Sequence, residues 1–158
     1  MNDDRRALLD RYRAGYASVE DAVSGVTEDE LDRRPAPGEW TAREVVHHLA
    51  DSDAMAYVRL RRLIAEDAPI IQGYDEPEYA RRLHYDRPIA SSLAVLAGVR
   101  ASSLDLLEAL TPHEWEREGT HSEWGRYSVD AWLGIYADHS AEHAEQIRAA
   151  RRGSRDGG

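Results

Sequence analysis

The sequence predicts an all-α protein, a four-helix bundle. Four segments of about 20 residues place apolar side chains at gaps of three and four, the period of one helix face. Helix-capping signals stand where several of these segments begin. No stretch carries a strong strand pattern. The 158 residues suffice for a single domain with a core of its own.

The first helix runs from Asp3 to about Val23, with Leu8, Leu9, Tyr12, Tyr16, Val19 and Val23 as its stripe. Thr27-Glu28-Asp29-Glu30 has the form of a capping box, so a short helical turn follows. Arg34-Pro35-Ala36-Pro37-Gly38 breaks the chain. A second capping box, Thr41-Ala42-Arg43-Glu44, opens the next long helix, and Trp40 stands where a hydrophobic staple would. That helix runs to about Glu66, with Val45, Leu49, Ser52, Ala56, Leu60 and Leu63 on one side. From Asp67 to Pro88 the helical period is lost, apart from room for one or two turns between Glu76 and Leu83. So long a connection predicts a crossover running the length of the molecule, or a lid over a site. The third long helix spans about Ile89 to Leu110, on a stripe of Leu93, Leu96, Val99, Ser103, Leu106, Leu107 and Leu110. Thr111-Pro112-His113-Glu114 caps another short turn, with proline at its favoured first position. Glu118 to Tyr127 is polar, holds two glycines, and reads as a loop or a small hairpin. Ser128 caps the fourth long helix, which runs to about Arg151. Residues 1–152 form the expected domain, and 153–158 read as a flexible tail.

Composition narrows the chemistry. The formal net charge of −10 opposes a nucleic-acid grip, which needs a basic surface. No uninterrupted apolar run approaches the ~18 residues of a membrane span. The charged opening Met-Asn-Asp-Asp-Arg-Arg does not read as a secretory leader, so a cytoplasmic protein is expected. Cysteine is absent, which removes thiolate ligands and thiol nucleophiles. All 20 basic residues are arginine, which removes Schiff-base lysine chemistry.

The fourth helix carries His139 and His143, one turn apart on its apolar face. Side chains at i and i+4 sit one above the other, so two imidazoles placed this way can share a metal ion. A catalytic metal usually takes three protein ligands and keeps a position open. Bundles draw such ligands from facing helices. His48 precedes Leu49 on the apolar side of the second long helix; its neighbour His47 is turned about 100° away. The pattern favours His48 and leaves His47 open. With 7 histidines in the chain, the i/i+4 pair alone proves little, because buried histidines are more often hydrogen-bonded core residues than ligands.

A resemblance sharpens this. The stretch from Trp40 to Asp53, Trp-Thr-Ala-Arg-Glu-Val-Val-His-His-Leu-Ala-Asp-Ser-Asp, is similar to the first signature of the DinB/YfiT-like superfamily. His139-x3-His143, followed by Glu145-Gln146-Ile147, is similar to its second. Tyr57-Val58-Arg59-Leu60 and the stretch from Pro69 to Glu76 resemble the branch that contains bacillithiol S-transferases. The resemblance covers about residues 5–150. It implies an up-down-down-up bundle with a long crossover, and frequent homodimers. It also implies a divalent metal, nickel or zinc, on three histidines, carried here by His48, His139 and His143. The activities it implies join a low-molecular-weight thiol to an electrophile, or isomerise a substrate with thiol help. In one respect the chain departs: the residue five after the first histidine, often histidine in this branch, is Asp53.

Ligand histidines usually donate their second N–H to a carboxylate or carbonyl. Glu44, Asp51 and Glu142 are the candidates for that role or for a base, and Gln146 also flanks the pair on the fourth helix. Tyr57, Arg59, Tyr74 and Trp124 are the candidates for substrate contact; His84, His113 and His121 read as incidental. His139-Ser140-Ala141-Glu142-His143 also spells the H-x-x-E-H of one metalloprotease class, but the chain after His143 is too short for that class's downstream acidic ligand. The rival readings are a metal-dependent hydrolase and a non-catalytic metal-binding scaffold.

Overall fold

The structure, a computed structural model, describes residues 3–153; the rest of the expected tail lies outside them. In chain order the elements are α1 (Asp3–Val23), α2 (Glu28–Asp32), α3 (Ala42–Ala65), β1 (Ile70–Ile71), α4 (Glu76–Arg82), α5 (Ala90–Ala109), α6 (Pro112–Trp115), β2 (Glu118–His121), β3 (Gly125–Ser128) and α7 (Val129–Arg152). The capping boxes at Thr27, Thr41 and Thr111 are all formed, each threonine and glutamate satisfying the other's backbone N–H. Ser128 accepts from the Ala131 N–H and starts α7.

Side-chain links fix the direction of each long helix. Arg5 reaches Asp130 at 2.7 Å and Arg148 reaches Asp21 at 2.8 Å, so α1 and α7 run parallel. His47 meets Ser92 and Arg61 meets Ser102, so α3 and α5 are also parallel. The Trp132 indole donates to the Ala56 carbonyl at 2.9 Å while the His143 ring meets His48 edge-on, so α7 opposes α3. Leu9 shares one core cluster with Leu107, and Val19 shares the other with Leu96, so α5 opposes α1. The bundle is therefore up-down-down-up. Parallel neighbours cannot be joined by a tight turn, and this is why about 20 residues must separate α3 from α5.

That crossover does more than return the chain. β1 pairs in parallel with β2, which is antiparallel to β3, forming a small sheet in the order β1-β2-β3. Gly119 makes the approach possible: a Cβ there would lie 2.4 Å from the Pro69 carbonyl oxygen. The hairpin reading of Glu118–Tyr127 holds, whereas a strand at Ile70–Ile71 was not foreseen. Two residues carry no period of their own, and their partner lies 50 positions away.

The apolar core comes in two clusters. One gathers Leu9, Leu60, Leu107 and Trp132, the other Val19, Leu49, Leu96 and Ile147. Between them lies a buried polar layer of Ser52, Asp53, Arg100, Ser103 and Ser140. By length and composition α5 is apolar enough to cross a membrane, although it holds no uninterrupted apolar run of that length. Its leucines, valines and alanines raise the average while serines, Arg100 and Asp105 interrupt any run, and in this fold it packs on α3 and α1.

Candidate metal centre

Because α3 and α7 are antiparallel, the first turns of α3 face the last turns of α7. This places His48 beside His139 and His143, with one ring nitrogen of each within 4.8 Å of the others. The ring centroids lie 4.8 Å apart for His48 and His143, 5.8 Å for His48 and His139, and 4.6 Å for His139 and His143. Trp40 covers His48 at 4.7 Å between rings, which fixes the side from which that imidazole is approached. His48 is buried, and the other two rings are partly exposed, so the cluster opens toward solvent beside α7.

The same geometry rejects His47. Its Nε2–H donates to the Arg87 carbonyl at 2.9 Å and its Nδ1 takes the Ser92 hydroxyl at 2.8 Å. Both ring nitrogens are spent holding the crossover and α5 against α3. Of the two histidines left open by the sequence pattern, the structure brings His48 and not His47 to the His139–His143 pair.

Three features make the cluster fit a divalent ion. Burial, then the like charge of His143 and His139, pushes the His48 imidazole down to about 3. Burial and His139 also lower His143, against the hydrogen bond that Gln146 supplies. Neutral imidazole is the form that ligates. Next, Gln146 Oε1 accepts from His143 Nδ1 at 2.7 Å, which leaves Nε2 of that ring free to bind. Finally, His139 Nδ1 is buried with no hydrogen-bond partner among the described residues, as is Asp53 Oδ2, 3.5 Å away. Three nitrogen donors at this spacing suit a divalent transition metal.

The remaining candidates are placed as follows. Glu44 is occupied at the start of α3, accepting from the Thr41 N–H and from Arg34. Asp51 accepts the Tyr85 hydroxyl at 2.6 Å and holds the crossover. Glu142 is exposed on α7. Tyr57 lies nine residues beyond His48, half a turn round α3. There its ring carries the Arg61 guanidinium at 3.2 Å. Arg59 returns to the His48 side of α3; it is buried and donates to the Tyr136 hydroxyl and the Gln72 carbonyl. The buried Tyr74 hydroxyl has no partner among the described residues. Trp124 is exposed, with its ring stacked at 3.9 Å on His121. His121, read as incidental, is buried in β2 under that indole. Its alternation with Gly119 along a strand was the signal that could have found it.

An up-down-down-up bundle with three convergent imidazoles defines a class of metal-binding helical protein. The chain belongs to the DinB superfamily, whose profile matches residues 11–147. A relative from Oceanobacillus iheyensis, named a candidate metal-dependent hydrolase, is 38% identical over 82% of this chain and 75% of its own. A Bacillus mycoides protein with the same designation is 32% identical over 82% of this chain and 75% of its own. The solved structure of YfiT from Bacillus subtilis superposes with a TM-score of 0.87 at 28% identity, covering 96% of this chain and 89% of that one. It too is described as a candidate metal-dependent hydrolase, with an unusual four-helix bundle topology.

Proposed function

We propose that this protein is a metal-dependent enzyme in which His48, His139 and His143 hold one divalent ion, zinc or nickel, and that it joins a low-molecular-weight thiol to a small electrophile. The observation that carries the reading is a donor set of three imidazoles, with no carboxylate or thiolate among them, open to solvent on one side. A divalent ion on such a set keeps its full charge and lowers the pKa of a bound water or thiol. The chain has no cysteine, so a thiol nucleophile must arrive as a co-substrate.

The chain's own residues divide the remaining work. Gln146 fixes the His143 ring by accepting its Nδ1–H. Trp40 packs on His48 and shields it from water. Arg59 and Tyr74 lie on the crossover side of α3, where a guanidinium and an unpaired hydroxyl can hold a polar substituent of the substrate. Trp124 offers an exposed aromatic face beside them. The chain is further proposed to act as a homodimer, supported by the exposed Val95 and the small side chains around it on α5.

Hydrolysis is the second reading, favoured by the designations of the relatives. The test loads the protein with zinc or nickel and offers a panel of small thiols with a chromogenic electrophile, beside activated esters without thiol. Thiol-dependent product formation that His143→Ala abolishes is the expected result. Metal-dependent ester cleavage with no thiol requirement would replace transfer with hydrolysis. No turnover in either assay by the metal-loaded protein would favour a scaffold.

A further inference from the structure

Arg100 is the most conspicuous polar group in the bundle that the proposed chemistry does not use. It sits in the middle of α5 with its side chain 3% exposed, yet every neighbouring helix makes provision for it. From α1, the Tyr12 carbonyl accepts its Nη2–H at 2.7 Å, and the Tyr12 ring lies 3.9 Å from the guanidinium carbon. Gly15 leaves the space: a Cβ there would fall 2.6 Å from Arg100 Nη2. From α3, Asp53 Oδ1 accepts Nη1–H at 2.8 Å. The second Asp53 oxygen is not used by the arginine. It is buried, unpartnered among the described residues, and 3.5 Å from the unpartnered Nδ1 of His139 on α7.

We propose that Asp53, held by Arg100, is a positioning residue that sets the tautomer of His139. A carboxylate oxygen can only accept, so the ring facing it carries its proton on Nδ1 and presents the Nε2 lone pair to the other two histidines. Arg100 occupies the other oxygen and fixes the carboxylate plane. This keeps Asp53 as an acceptor behind the imidazole and out of the donor set. His143 obtains the same tautomer from Gln146. Both α7 histidines are thus aimed from behind by an acceptor, one charged and one neutral.

The inference rests on the metal reading above, and its test separates the two. Zinc dissociation constants of the full chain, from competition with a chromophoric chelator, are compared for the parent, Asp53→Asn and Arg100→Gln, beside the thermal midpoint of each metal-free protein. In Asp53→Asn the amide oxygen stays with Arg100 and the NH2 turns to His139. That donor forces the opposite tautomer, and zinc binding weakens about 10- to 100-fold. Arg100→Gln lowers the midpoint as Asp53→Asn does but binds zinc at least as tightly as the parent. Equal weakening in both variants, or none in Asp53→Asn, would reduce the pair to a fold element and overturn the proposal. No zinc binding by the parent would instead overturn the metal reading. Should Asp53→Asn fail to fold, nitrogen-15 ring shifts of the metal-free parent decide. An Nδ1–H tautomer at His139 is expected; Nε2–H contradicts it.

Discussion

At the scale of single residues, the centre is made by what stands behind the histidines. His47 and His48 are adjacent and both buried, yet only His48 has a ring not spent on hydrogen bonds to the crossover. Gly15 shows how far the surroundings are specialised, because it exists as space for Arg100 in the middle of α1. Gly15→Ala should therefore destabilise the fold by about 1–3 kcal/mol, although alanine is the better helix former. Urea unfolding checks this; unchanged or increased stability would mean that Arg100 is not held as described. The arginine itself was legible. It lies four residues after Leu96 and three before Ser103, on the buried face of α5, but a stripe read for apolar residues passes over a charge at that position. Asp53 was noticed as a departure; that its carboxylate is shared with a buried arginine from another helix was not legible from one chain segment.

At the scale of elements, what was legible was local. The capping boxes are written within four residues, so each start at Thr27, Thr41 and Thr111 was readable and is observed. Thr41→Ala removes one side of the box that opens α3, and should cost about 1 kcal/mol in chemical denaturation. His48 begins less than two turns further on, so metal affinity should weaken in the same variant; an unaltered unfolding midpoint would contradict the role given to the cap. The pairing of β1 with β2 joins residues 50 positions apart, and no local pattern announces it. The crossover was legible only as a length, and its cause, two parallel neighbouring helices, emerges from the side-chain links.

At the scale of the whole molecule, the buried histidines tie the stability of the metal-free protein to pH. His48 is held down to about 3, chiefly by burial, and burial also lowers His47 and His143. The unfolded chain takes up protons on these rings near pH 6.5 and the folded chain does not, so unfolding is favoured as the pH falls below that value. Stability is fully present above about 6.5 and should decline by up to about 1.4 kcal/mol per pH unit for each such ring until its folded pKa is passed. Thermal midpoints of metal-free protein between pH 7.5 and 5 should fall, and bound zinc should flatten the decline at its upper end. A midpoint independent of pH over that range would contradict the assigned burial.

The central claim is that the two ends of α3 and α7 that meet form a metal centre. Elemental analysis of untagged protein, beside His143→Ala, tests it most directly. About one equivalent of zinc or nickel per chain, lost in the variant, is the predicted result. No bound metal in the parent, even after incubation with either ion at neutral pH, would contradict it and leave the three imidazoles as core residues of a helical bundle.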